Sequence, residues 1–112
     1  MDLKTEEIGD ARIVTVVENR IDAAVAIKFK DRMRELTVDG PKRVVLDLSA
    51  VQFIDSSGLG AIVASMKQLG GARVLELAGL SPTVEKVFRL TRMDTVFKLH
   101  QNAKAAIAAN AG

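Results

Sequence analysis

The chain has 112 residues, of which 48% are hydrophobic and 27% charged, with a formal net charge of +2. This length suits one domain with a buried core, and we expect a single domain over residues 1–112. Cysteine is absent and histidine occurs once, which excludes disulfides, thiolate metal sites and sites that need two imidazoles, so we expect no metal and no cofactor. Tryptophan and tyrosine are also absent, which argues against a nucleic-acid binder.

The N-terminal segment MDLKTEEIGD is acidic and polar, unlike a secretory signal, and no run approaches the ~20 apolar residues of a membrane span. We therefore expect a cytoplasmic protein that does not bind membranes. Residues 3–8 and 11–18 are predicted strands, and Gly9-Asp10 between them is a plausible hairpin turn. The sequence thus predicts an antiparallel pair at one edge of a sheet.

A first helix is predicted after Asp22, which can act as its N-cap, and it ends before Gly40-Pro41. Its apolar face is formed by residues at helical spacing, namely Val25, Phe29, Met33 and Leu36. The following segment RVVLDLS, residues 43–49, is continuously apolar rather than alternating, as expected of a strand covered on both faces. It is the predicted central strand.

The second half of the chain continues the alternation of strands and helices. A second helix follows the sequence FIDSSGLG, residues 53–60, and Gly70-Gly71 ends it. The segment RVLELAG is the next predicted strand, Ser81-Pro82 starts a third helix, TVFKL is a last strand, and Asn102 starts an alanine-rich helix. Together these elements predict a single small α/β domain with a mixed, mostly parallel sheet and helices packed against it.

The sequence FIDSSGLG lies between the central strand and the second helix, at the carboxyl end of that strand, where open α/β sheets place their sites. One interpretation is structural: Ser56 or Ser57 caps the helix, while Gly58 and Gly60 allow close packing. Hydrolysis by serine is disfavoured because no glycine precedes the serines and His100 lies at the end of the last strand. The chain also has no glycine-lysine-serine/threonine phosphate loop, so we expect a non-enzyme.

The segment VVLDLSAVQFIDSSGLGAIV, with RIDAAVA before it and LAGLSPTVEKVFRLTRMDTVFKL after it, resembles the STAS domain family, in particular the bacterial anti-sigma-factor antagonists. The resemblance runs from about Ala11 to Ile107. It implies transcription regulation by partner switching, in which the antagonist binds a kinase-type anti-sigma factor and frees the sigma factor. That kinase, which supplies ATP and magnesium, inactivates the antagonist by serine phosphorylation, and a PP2C-type phosphatase reverses the modification.

Carried onto this sequence, the resemblance implies that Ser56 is the phosphorylated residue and that Asp22 contacts the partner. We expect Ser57 to lie at or inside the start of the helix with its hydroxyl bound to the backbone, whereas Ser56 points out of the loop. We expect Asp55, Ser56 and Ser57 to bind the partner together with Asp22, as part of a docking surface that the first and second helices form. The second helix contributes the residues opposite its apolar stripe, which are Ala61, Ala64, Ser65 and Gln68. The first helix contributes Ile27 on its outward side.

Small side chains on that face would let another backbone come close. Arginine in place of Ala61 or Ala64 is therefore expected to abolish partner binding and to leave thermal stability nearly unchanged. Three residues at two places in the chain depart from the family. Asn19-Arg20 stands where a glycine and an acidic or small residue are frequent, and asparagine tolerates the left-handed conformation that glycine would supply. Arg92 also stands where glycine is common.

Two other functions remain open at this point. The same fold could serve as an accessory subunit of a lipid transporter or as a signalling scaffold, in which the serine is not phosphorylated. A small nucleotide-binding or nucleotide-hydrolysing protein is the third hypothesis. Retention of Asp55 and Ser56 favours the partner switch over the accessory subunit, and the missing phosphate loop disfavours nucleotide binding.

Overall fold

The computed structural model of the chain describes residues 1–109. Its elements are, in chain order, β1 Leu3–Ile8, β2 Ala11–Val16, β3 Arg20–Ile21, α1 Ala26–Thr37, β4 Arg43–Asp47, β5 Phe53–Ile54, α2 Ser56–Leu69, β6 Val74–Ala78, α3 Pro82–Leu90, a 3-10 turn Met93–Thr95, β7 Leu99–His100 and α4 Ala103–Ala108. Within these residues no helix is both long and apolar enough to cross a membrane.

The main sheet has the strand order β1-β2-β4-β6-β7. The β1–β2 hairpin is antiparallel, and Gly9 turns it with a φ of 61°, a conformation that glycine adopts without steric cost. The other neighbouring strands are parallel, so β4 is the central strand of a mixed sheet. The predicted fold class is confirmed.

The central strand β4 is covered on both faces. Val44 and Leu46 belong to the larger core, which α1, α2 and α3 close with buried residues such as Phe29, Ile62 and Phe88. Val45 points to the opposite face and belongs to a smaller cluster that includes Ala106 of α4. The continuous apolar run of this strand is explained by its position between α1, α2 and α3 on one face and α4 on the other.

Two stretches differ from the sequence prediction. The central strand does not lead directly into the second helix, because β5 intervenes and pairs in parallel with β3 as a separate two-stranded sheet. The predicted last strand TVFKL is also displaced, since only Leu99–His100 is strand and Thr95 ends the 3-10 turn. The side chain of Phe97 is buried instead and packs edge-to-face on Phe88, with 6.1 Å between ring centroids.

Candidate functional site

The carboxylate of Asp55 connects the start of α2 to the loop before α1. Its Oδ1 accepts a hydrogen bond from the Gly58 N–H at 2.9 Å, and its Oδ2 accepts one from the Ala23 N–H at 3.1 Å. Asp55 is therefore the N-cap of α2, and the prediction that a serine caps this helix is wrong. The hydrogen bond from the Gly58 N–H, and to a smaller extent the one from the Ala23 N–H, hold the pKa of the Asp55 carboxyl below its usual value.

Because Asp55 is the cap, the two serines occupy the first two positions of the helix itself. Both side chains are exposed, and the structure shows no hydrogen-bond partner for either hydroxyl within residues 1–109. The expectation that Ser57 alone is engaged with the backbone is therefore wrong. Helix geometry leaves Ser56 and Ser57 equally accessible, and it does not distinguish between them.

Gly58 lets the start of α2 lie directly against β3. A Cβ at this position would be 2.0 Å from the Ile21 carbonyl oxygen, closer than real Cβ atoms come to any neighbour. Gly60, two residues further along the helix, has no atom within 4 Å of where its Cβ would be. The packing role predicted for the glycines thus holds for Gly58 and not for Gly60.

Asp22 lies in the turn between β3 and α1 and does not cap the helix. Its Oδ1 accepts from the Ala24 N–H at 3.1 Å, while α1 begins only at Ala26, after Val25, whose side chain makes no capping hydrogen bond. The other carboxylate oxygen of Asp22 lies 2.9 Å from the Arg20 Nε. The predicted capping role is wrong because the chain completes this local turn before it becomes helical.

Arg20 and Arg92, the two arginines at departures from the family, have different surroundings. The Arg20 guanidinium stacks over the Phe53 ring, 4.9 Å from its centroid, so its charge is placed by both Asp22 and an aromatic face. Arg92 has a φ of 60° and is the one non-glycine residue of the described chain with positive φ. Asn19 therefore does not adopt the left-handed conformation allowed for it, whereas Arg92 does.

The surface predicted on α2 is partly buried. Ala61 and Ser65 are only 6% and 3% exposed, and the Ser65 hydroxyl donates to the Ala61 carbonyl oxygen at 2.9 Å. Their small side chains let α2 lie close to α1, so the prediction that they face solvent is wrong. Ala64 is half-buried, and Gln68 and Ile27 are exposed as expected, Ile27 by 70%.

A shallow groove of about 200 Å³ separates the exposed parts of α1 and α2, beside the serines. Its lining residues are Ala26, Ile27, Lys30, Ser57, Gly60, Ala61 and Ala64. Sequence reasoning did not assign Ala26, Lys30 or Gly60 to this surface. The spacing of Ile27 and Lys30 by three residues would have placed both on one helix face.

The family model described as the STAS domain matches residues 2–106. The chain is 26% identical over 105 residues to the anti-sigma-F factor antagonist RsfB of Mycobacterium tuberculosis, covering 92% of this chain and 86% of that protein. It is 29% identical over 98 residues to the anti-sigma-B factor antagonist of Listeria monocytogenes, covering 87% and 86%. The crystal structure of an anti-sigma factor antagonist from Mycobacterium paratuberculosis superposes with a TM-score of 0.86 at 27% identity, over 96% of this chain and 92% of that one.

The chain is a small α/β domain with a mixed sheet and an acid-capped helix that presents two exposed serines. The chain belongs to the STAS domain family. The similar proteins named above are regulators rather than enzymes, which agrees with the non-enzymatic interpretation of the sequence.

Proposed function

We propose that this chain antagonises an anti-sigma factor by binding it through the surface around the start of α2. The names of the relatives from Mycobacterium and Listeria support this function. The single structural observation that supports it best is the exposure of Ser56 at the first position of α2, directly after the capping Asp55. An exposed hydroxyl on a helix that is fixed at its first turn is accessible to a kinase and to a partner protein.

Phosphorylation of Ser56 is the switch in this proposal. A phosphoserine carries about −1.5 to −2 charges and would stand beside the carboxylate of Asp55 and near that of Asp22. In a complex, these charges would be pressed against a surface that fits a neutral hydroxyl, and like charges at an interface cost several kcal/mol. A loss of ~3–4 kcal/mol weakens affinity roughly a hundred- to a thousandfold.

The kinase is the anti-sigma factor itself, which brings ATP and magnesium, and a PP2C-type phosphatase restores the free serine. In this proposal the cycle of phosphorylation and dephosphorylation takes place in the cytoplasm, and the chain itself catalyses neither step. The docking surface is narrower than the sequence suggested. It consists of the exposed or half-buried residues Asp22, Ile27, Asp55, Ser56, Ser57, Ala64 and Gln68, whereas Ala61 and Ser65 support it from within.

The first test measures binding to kinase-type anti-sigma factors of the source organism by titration calorimetry. Ser56→Asp should weaken binding at least about a hundredfold, whereas Ser56→Ala should bind normally and not be released by ATP and magnesium. Peptide mass mapping after incubation with kinase and ATP should place the phosphate on Ser56. Phosphate that persists in Ser56→Ala and disappears in Ser57→Ala would assign the switch to the other serine.

The second test examines the docking surface with a matched pair of substitutions on one side of the domain. Ile27 and Val38 are both highly exposed aliphatic residues, 70% and 77%, but only Ile27 lines the groove beside the serines. Ile27→Arg should therefore reduce binding at least about tenfold while Val38→Arg leaves it unchanged. Equal affinities of the two variants would exclude the α1 side of this surface.

A further inference from the structure

A second polar site lies at the amino ends of the strands of the main sheet, the end opposite to that of Ser56. Asp10, Lys42 and Lys98 each directly precede a strand, and those strands, β2, β4 and β7, run parallel to one another within the sheet. Their side chains therefore meet at the amino ends of the strands. With Arg43, Val74 and Glu76 they line a depression of about 350 Å³, within the range of about 300–1,000 Å³ usual for small-molecule sites.

Arg43 is held rigidly in the wall of this depression. The residue is 8% exposed, and its Nε and Nη2 donate to the two carboxylate oxygens of Glu76 at 3.0 and 2.6 Å. Its Nη2 also donates to the Ala106 carbonyl oxygen at 2.9 Å, and the same Glu76 Oε1 lies 2.6 Å from the His100 Nε2. Both oxygens of Glu76 are thus engaged, and the charges of Arg43 and Glu76 compensate each other.

The remaining nitrogen of the guanidinium, Nη1, is buried and has no hydrogen-bond partner within residues 1–109. The Asp10 carboxylate is 3.7 Å away, beyond the distance of a hydrogen bond, and that side chain is 54% exposed. A buried cationic donor without an acceptor costs free energy, and an acceptor that enters the depression removes that cost. Because Glu76 fixes the plane of the guanidinium, the direction of these free N–H groups is fixed as well.

We infer that this depression binds the phosphate group of a small phosphorylated molecule, with Arg43 Nη1, Lys42 and Lys98 as its donors. All three groups are donors without acceptor capacity, and a phosphate can accept hydrogen bonds from several donors at once. The two exposed lysines supply mobile point charges, whereas Arg43 supplies a fixed direction. The negative charge of Asp10 disfavours a bound anion, but its exposed side chain can rotate towards the solvent when an anion enters.

The test is an amide NMR titration of the full chain, at constant ionic strength, with inorganic phosphate in one arm and glycerol 3-phosphate in the other. Saturable shifts at Asp10, Lys42, Val74 and Lys98 are expected in both arms. Tighter binding of glycerol 3-phosphate would assign the site to phosphate esters, and equal binding would assign it to the free ion. No saturation in either arm, or shifts centred on Ser56 and Gly58, would overturn the inference.

Variants separate a built site from general attraction of anions to a basic protein. Lys42→Gln with Lys98→Gln should lower affinity at least about tenfold, because charge-assisted hydrogen bonds are lost. Asp10→Asn should raise it several-fold by removing the opposing charge. The matched control replaces Lys28 and Lys67, exposed lysines of α1 and α2, by glutamine. If this control weakens binding as much as the site variant does, the inference is wrong.

Discussion

Gly58 of α2 lies so close to Ile21 of β3 that a Cβ on the glycine would come within 2.0 Å of the Ile21 carbonyl oxygen. The contact joins the helix that bears the serines to the strand that leads into Asp22. The Asp55 carboxylate makes the same connection by hydrogen bonds to the N–H groups of Gly58 and Ala23. Steric contact and hydrogen bonding together hold the serines at a fixed position relative to the α1 loop.

Gly58→Ala is expected to destabilise the fold by ~1–3 kcal/mol, because a backbone carbonyl cannot move aside as a flexible side chain can. Gly60→Ala is the matched control, since no atom lies within 4 Å of the place that its methyl group would occupy. Removing a glycine from a helix there should raise stability by up to ~1 kcal/mol. Urea denaturation measures both changes, and similar stabilities for the two variants would contradict the proposed packing.

Arg92 adopts a left-handed conformation that glycine adopts without steric cost. It follows the last residues of α3, where glycine commonly ends a helix, and its φ is 60°. Arg92→Gly should remove ~1–2 kcal/mol of backbone strain, less the ~0.4–1 kcal/mol by which glycine increases unfolded-chain entropy. We expect a net gain in stability of about 0.8 kcal/mol, the midpoint of a range from about 0 to about 1.6 kcal/mol.

Arg92→Ala is the control for this prediction, because alanine removes the side chain and keeps the strain. Thermal unfolding should show a higher midpoint for Arg92→Gly than for both Arg92→Ala and the parent chain. Equal midpoints for the glycine and alanine variants would mean that the conformation carries no measurable strain.

The elements with strong local patterns were predictable from the sequence. The Gly9-Asp10 hairpin formed as expected, and Ser81 and Asn102 cap α3 and α4 through hydrogen bonds from the N–H groups of Val84 and Ala105. Capping and turn formation depend on residues only a few positions apart. At these two helices the local pattern was sufficient. It was not sufficient at α1 and α2, where Asp22 closes a turn before the helix and Asp55, which also binds the Ala23 N–H, is the cap.

The strand pair β3–β5 and the burial of Ala61 and Ser65 were not predictable in the same way. Two-residue strands are too short to show a period, and β3 pairs with β5 although all of α1 and β4 lies between them in the chain. Small residues such as Ala61 fit either an exposed contact surface or a close approach of two helices. The choice between these depended on where α1 packs, which the sequence pattern of α2 does not contain.

The hydrogen bonds from Gly58 and Ala23 that lower the pKa of Asp55 also predict how stability depends on pH. A carboxyl whose pKa is lower in the folded state stabilises the protein above its unfolded pKa, about 3.9 for aspartate, and this contribution is lost as the pH falls through the folded value. Asp55→Asn keeps a good capping side chain but does not titrate. The parent should therefore be more stable than Asp55→Asn at neutral pH, and this advantage should shrink below about pH 4.

Urea denaturation at a series of pH values from neutral to acidic measures this difference directly. A difference that stays constant across the series would mean that the carboxylate contributes through its shape alone. The Ala23 amide supplies a second observable, since its NMR resonance should follow the titration of Asp55 in the parent chain and not in Asp55→Asn.

Negative charge at Ser56 should be tolerated by the isolated domain, so that the switch acts at the interface and not on the fold. Position 56 begins α2, where unpaired N–H groups and the positive end of the helix dipole favour an anion by ~0.3–1 kcal/mol. The free energy of unfolding of Ser56→Asp should therefore lie within about 1 kcal/mol of that of the parent. Its amide resonances should differ from those of the parent only near the start of α2 and the Asp22 turn. Ser57→Asp carries the same charge one residue later and should be equally well folded, so only partner binding can distinguish the two variants. If Ser56→Asp instead shifts resonances along β4 and β6 in the centre of the sheet, the charge acts by changing the conformation of the domain, and the electrostatic mechanism proposed for the switch is wrong.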